Sequence, residues 1–159
     1  TIGAAYIHRV GGTDVAVTDG GTGASTAVAA RVNLALTLRT ADLTPGAEAA
    51  NAIPVTINIV DVDGSAVSAV TRLHCEVFDA AMLRALVGAF TCAETGAGTE
   101  ISTSARPGLM INTDANGDAI VTVTDVSGAF AGTVYLRVTP LAIGTPFYST
   151  SSIVALTFA

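Results

Sequence analysis

From residue 53 onward, apolar and polar positions alternate in short runs, with the two-residue period of strands that bury one face. Ile53, Val55, Ile57 and Ile59 share one side of the first run, and Asp61-Val62-Asp63-Gly64 closes it. A second run over residues 71–78 sets Leu73, Cys75 and Val77 against Arg72, His74 and Glu76. Three further runs cover residues 119–124, 132–139 and 152–158; Val121 and Val123 supply one core stripe, and Val134, Leu136 and Val138 another. Residues 80–87 form an apolar, helix-compatible excursion. Residues 94–108 read as a loop rich in Gly, Thr and Ser, with Pro107-Gly108 as its turn. Several short strands with turn chemistry between them predict an all-β sandwich rather than an α/β fold.

The front of the chain is different in kind. Residues 1–51 are rich in Gly, Ala and Thr, with paired glycines at Gly11-Gly12 and Gly20-Gly21. Good helix formers at Ala27, Ala29, Ala30 and Arg31, with Ser25 able to cap them, predict one short helix over residues 26–34. The alternation of Val32, Leu34, Leu36 and Leu38 competes for the same stretch as a strand. The helix is therefore expected to end near Asn33, with a strand over residues 34–40 and a connection over residues 41–51. Two parts result: an extended arm, residues 1–51, and a sandwich, residues 52–159.

Composition changes the picture of the surface. Half the residues are hydrophobic, but only 5% are aromatic and 13% charged, against about a quarter charged in an ordinary soluble domain. Alanine and valine supply much of the apolar count, and a surface this sparsely charged suits a protein covered by neighbours in an assembly. All 7 basic residues are arginine, and 13 acids bring the net charge to −6. That balance offers no basic footprint for nucleic acid. No apolar run approaches the ~18 residues of a membrane-spanning helix.

Candidate chemistry is thin. Asp61-x-Asp63-Gly64 and Asp114-x-Asn116-Gly117-Asp118 invite a calcium reading, but an EF-hand loop places Gly sixth and Glu twelfth. Here Gly is fourth, and Arg72 and Asp125 occupy the twelfth positions. Asx-Gly turns between strands explain both runs. His8 and His74 lie far apart in sequence, and neither has an orienting partner at motif spacing. No G-x-S-x-G occurs. The two cysteines, Cys75 and Cys92, fit no metal motif; a disulfide between them is open, and small core side chains is the expected role. The GGTG run ahead of the helix could bind an anion, yet it lacks the Lys-Ser/Thr of a phosphate loop. No cofactor, metal site or catalytic set is expected.

Asp19-Gly20-Gly21-Thr22-Gly23-Ala24-Ser25-Thr26-Ala27, followed by Ala30-Arg31 and Asn33-Leu34, resembles the (N/D)GGTGA-T-A--AR-NL motif of tail fibres and other surface appendages of tailed bacteriophages. Val32 and Ala35 depart from it, where a small polar residue and a glycine are usual. The DVDG turn, Asp114 to Ala119 with Val121-Thr122-Val123-Thr124, Gly132-Thr133-Val134-Tyr135-Leu136 and the closing Leu156-Thr157-Phe158-Ala159 look like Ig-like modules of phage structural proteins and invasin-type repeats. The resemblance implies an Ig-like sandwich on the surface of a virion. Its function would be non-enzymatic: a capsid decoration or head-fibre protein held by Gly20, Gly21, Thr22, Gly23, Arg31, Asn33 and Leu34. The implied partners are the capsid or other virion proteins and further copies of the chain, in a trimer by analogy with fibres. The alternatives are a short tail fibre or tail-tip subunit binding host surface glycan, for which Tyr135, Phe147 and Tyr148 are the aromatic candidates, or a bacterial adhesin module. No nucleic-acid or membrane partner is implied.

Overall fold

The computed structural model describes residue 30 and residues 38–79, 89–102, 108–142 and 148–159. Thr1–Thr37 and Leu38–Ala159 are separate units. Apart from Ala30, the helix expected over residues 26–34 lies outside the described residues, as do the excursion over residues 80–87 and Pro107.

The second unit is a β-sandwich. Its strands are β1 (Leu38–Pro45), β2 (Ala52–Val60), β3 (Arg72–Phe78), β4 (Phe90–Glu94), β5 (Thr99–Glu100), β6 (Gly108–Asn112), β7 (Asp118–Asp125), β8 (Gly132–Leu141), β9 (Tyr148–Ser149) and β10 (Ser152–Phe158). One sheet runs β4-β7-β2-β1-β9 and the other β10-β8-β3-β6-β5. Every pairing is antiparallel except the short one of β1 with β9. The order β1-β2-β7-β4 opposite β10-β8-β3 follows the ABED and GFC sheets of an Ig-like fold, with the β5–β6 hairpin added beyond β3.

All five alternating runs are strands, and their apolar stripes meet between the sheets. Val55, Ile57, Leu73, Cys75, Val77, Val121, Val123, Leu136 and Val138 are fully buried. Three phenylalanines close one end of this core. Ring centre to ring centre, Phe90 on β4 lies 5.1 Å from Phe130, edge-to-face, and 5.3 Å from Phe158 on β10 in a tilted contact that joins the two sheets. At the opposite end the buried Thr71 and Thr113 hold each other: Thr71 N–H donates to Thr113 Oγ1, and Thr113 N–H donates to the Thr71 carbonyl. Arg39 Nη1 adds a bond of 2.8 Å to Thr71 Oγ1.

Two boundaries differ from the sequence expectation. Residues 41–51 are not simply a connection, because β1 continues to Pro45, pairing Thr40 with Val60 through to Pro45 with Val55. The sandwich therefore starts at Leu38 rather than at residue 52. Only Ala41 is fully buried on β1, so its apolar signal is too small to announce a strand. Residues 94–108 likewise hold more than a loop: β4 and β6 flank it and β5 lies within it.

Short polar devices make the turns. Ala49 and Ala52 exchange backbone hydrogen bonds of 2.9 and 3.0 Å around Ala50 and Asn51, whose φ values are +51° and +60°. This is a two-residue hairpin with both central residues left-handed, the conformation that favours Asn-Gly. Ala47 and Glu48 stand opposite the single residue Ile53, between the Gly46–Pro54 and Ala49–Ala52 bonds, as a bulge. Three D-x-x-G turns repeat one design. Asp61 Oδ1 accepts from the N–H groups of Asp63 and Ser65; Asp114 Oδ1 accepts from Asn116 and Asp118; the buried Asp125 accepts from Ser127, Ala129 and Phe130. Gly64, Gly117 and Gly128 supply the positive φ in each. At Gly117 a Cβ would sit 2.3 Å from the Val67 carbonyl oxygen, so no larger residue fits.

Two stability predictions follow from the turns. A left-handed φ costs an L-residue about 1–2 kcal/mol, so Ala50→Gly raises unfolding stability by about 1 kcal/mol in denaturant titration, after the entropy that glycine adds to the unfolded chain. The N–H of Phe130, with those of Ser127 and Ala129 and the Ser127 hydroxyl, holds the Asp125 carboxyl below its ordinary pKa, and the N–H of Asp118 does the same for Asp114. A carboxylate with a lowered folded pKa stabilises the fold above its unfolded value of about 4, and that contribution disappears as pH falls through the folded pKa. Wild-type protein should thus lose stability below about pH 4, while Asp125→Asn starts less stable at neutral pH and shows a shallower acid limb.

Candidate functional site

The two outer faces of the sandwich differ. Pro54 and Thr56 on β2, Thr122 and Thr124 on β7 and Thr91 and Ala93 on β4 give most of the first sheet small, uncharged side chains, with Asp42, Asn58 and Asp118 aligned in a row at its other end. The second sheet carries the ionic and aromatic groups. Antiparallel register aligns them in rows: Asn112, Arg72 and Leu141; Met110, His74 and Thr139; Gly108, Glu76, Arg137 and Ile153; then Phe78, Tyr135 and Ala155. These are the polar positions of the alternation, so the strand period that buries Leu73, Cys75 and Val77 also assembles this surface.

Arg137 is its fixed point. Its Nε donates to Glu76 Oε2 at 3.2 Å and its Nη2 bonds the same oxygen. The guanidinium lies 4.4 Å from the centre of the Phe78 ring, a cation–π placement. His74 Nδ1 is 3.6 Å from the same Glu76 oxygen, and the ring leans over the space left by Gly108, where a Cβ would come 3.4 Å from His74 Nε2. Arg72 reaches Asn112 Oδ1 at 3.4 Å. Two arginines, one glutamate, an imidazole and a phenol on a flat sheet can recognise a partner through charge and hydrogen bonds. They present no nucleophile with a base and an orienting acid behind it.

Among the described residues no group of three or more His, Cys, Asp and Glu side chains could hold a metal, and the carboxylates of Asp61 and Asp114 are engaged by their own turns. Cys75 on β3 and Cys92 on β4 are free, buried thiols in the common core. Burial pushes the Cys92 thiol up to about 12. Burial also raises Cys75, helped by Cys92 and the negative charge of Glu76. Both are thus held in the unreactive thiol form. Tyr135 stands half-buried in the row with Phe78. His8, Gly20, Gly21, Thr22, Gly23, Arg31, Asn33, Leu34 and Phe147 lie outside the described residues, as does the Tyr148 side chain. The Arg137–Glu76–Phe78 cluster was not visible as a motif, since its members sit on two strands far apart in sequence. The outward positions of the two alternating runs were its only sequence trace.

Comparison with models of known protein families and with curated proteins returns no match.

The cysteines give a direct check. Iodoacetamide should leave both thiols unmodified in native protein at neutral pH, as read by intact mass, and alkylate both once denaturant unfolds the chain. Rapid native modification of either would contradict their placement in the core.

Proposed function

We propose that this protein is a non-enzymatic structural component of a tailed-bacteriophage virion, a capsid decoration or head-fibre protein. In this reading the segment carrying Gly20, Gly21, Thr22, Gly23, Arg31, Asn33 and Leu34 attaches the chain to the particle, and the Ig-like sandwich is displayed at the surface. The observation that carries it is the position of the division between units. The whole DGGTGASTAVAARVNL stretch falls before Leu38, in a different unit from the sandwich, whose described core is drawn from Ala41 to Phe158. A segment that resembles a phage-appendage motif and falls in a unit of its own is the natural candidate for attachment. The low charge of the chain supports the same reading, because surface buried against neighbouring subunits need not hold water.

Antibody against the chain, gold-labelled on intact particles of the encoding phage, should decorate the head, and Arg31→Ala with Asn33→Ala should abolish incorporation while circular dichroism of the sandwich is unchanged. Label at the tail tip would replace this reading with a receptor-binding fibre, in which Tyr135, Phe78 and Arg137 would form the glycan-facing surface. Absence of label from particles would end both.

A further inference from the structure

Among the described residues, β10 closes its sheet as an edge strand. In an antiparallel sheet the backbone groups of successive residues point to alternate neighbours, so one known direction fixes all the others. Ile101 N–H donates to the Met110 carbonyl and Thr113 N–H to the Thr71 carbonyl. Even-numbered residues of β6 therefore face β5 and odd-numbered ones face β3. Carried through the registers of β3 with β6, β3 with β8 and β10 with β8, the alternation turns Ser152, Val154, Leu156 and Phe158 toward β8. The N–H and C=O groups of Ile153, Ala155 and Thr157 point away from the sheet. An independent contact agrees: the N–H of Ala159, next in that odd series, turns off the ladder to Glu48 Oε2 at 2.9 Å. Among the described residues no strand pairs with this edge.

Edges are ordinarily blunted by short length, charge or proline. Among the other sheet edges, β5 and β9 have two residues each, and β4 ends in Glu94. By contrast β10 has seven residues, Ser-Ile-Val-Ala-Leu-Thr-Phe, without charge, proline or glycine, and Ile153 is 53% exposed on it. Both ends of the strand are tied to its own sandwich, by Thr40 Oγ1 with Ser152 Oγ and by Glu48 with Ala159. The open backbone lies between these ties.

We infer that β10 pairs antiparallel with β10 of a second copy of this chain, about a two-fold axis at Ala155. In that register Ile153 exchanges hydrogen bonds with the partner's Thr157, Ala155 with the partner's Ala155, and Thr157 with the partner's Ile153, which satisfies every outward backbone group at once. Charge favours a second copy as the occupant. Two chains of net charge −6 repel over most of their surfaces, but along this strand no acid meets an acid. Antiparallel order also sets the Glu48 end of one seam beside the end where the partner's Arg39 lies, since Arg39 aligns with Ser149 just before β10 begins. The pairing joins the two outer sheets into one continuous sheet and does not depend on where the protein works.

The test uses the full chain. Sedimentation equilibrium should give a monomer–dimer equilibrium, and Ile153→Lys, which places a charge on an exposed side chain, should weaken it at least tenfold without moving the thermal transition. Oxidised glutathione should link Ala155→Cys into a covalent dimer, because paired Cα atoms across a hydrogen-bonded antiparallel site stand about 5.5 Å apart, within disulfide reach. Ile153→Cys should stay monomeric on the same treatment, its two copies being about 14 Å apart in this register. A monomer at all concentrations, an unaltered equilibrium in Ile153→Lys, assemblies larger than a dimer, or equal linking at both cysteine positions would each overturn the pairing.

Discussion

An extended strand couples two alternations: each residue that turns its side chain to one face also turns its backbone hydrogen bonds to one neighbour. The sandwich follows from applying that coupling in every strand. Burying Ile53, Val55, Ile57 and Ile59 on one side of β2 leaves Pro54, Thr56 and Asn58 on the other, and no slip by a single residue is allowed, since it would turn the whole apolar set outward. The same rule places Arg72, His74 and Glu76 on the outer face because Leu73, Cys75 and Val77 are within. It also leaves the odd-numbered backbone of β10 facing outward. Core, polar face and open edge are three consequences of one register.

That register needs ends that hold, and the chain supplies them with carboxylates. Asp61, Asp114 and Asp125 each gather the N–H groups of the turn that follows, groups that would otherwise be left unpaired where the ladders stop. Asp125 does most, since it is itself buried and fixes the backbone of Phe130, whose ring packs against Phe90 and Phe158. A local turn is thereby tied to a contact between the sheets. The spacing that resembles a cation loop is the spacing of a carboxylate reaching its own backbone.

The strands legible in the sequence were those with at least two large apolar residues at alternate positions, such as β2, β3, β7, β8 and β10. The others gave little to read. On β1, Ala41 is the fully buried position and Asp42 and Thr44 face out, so the strand owes its place to its partner β2 rather than to its own pattern. On β6, Met110 stands on the outer face between the buried Leu109 and Ile111, which erases the polar half of the alternation. Hairpin chemistry was hidden where Ala50 occupies a left-handed position that glycine or asparagine ordinarily marks. For the outer face of the second sheet, the sequence disclosed which residues point outward, but their meeting depends on pairing β3 with β8. No local pattern encodes that pairing.

The distribution of charge ties these features together. Acids concentrate in turns and at strand ends, where the carboxylates of Asp61, Asp114 and Asp125 bind the backbone of their own turns, and the described arginines lie on the strands. The part of the first sheet's outer face around Pro54, Thr91, Thr122 and Thr124 and the edge at β10 are left neutral. Bringing another surface against them strips water from threonine and alanine rather than from ions, and desolvating ions is the larger cost. Such surfaces gain little specificity from charge. Backbone register and close fit, which small side chains allow, are what such surfaces offer a neighbour, while the ionic groups are gathered on the face where Arg137 is held by Glu76 and Phe78.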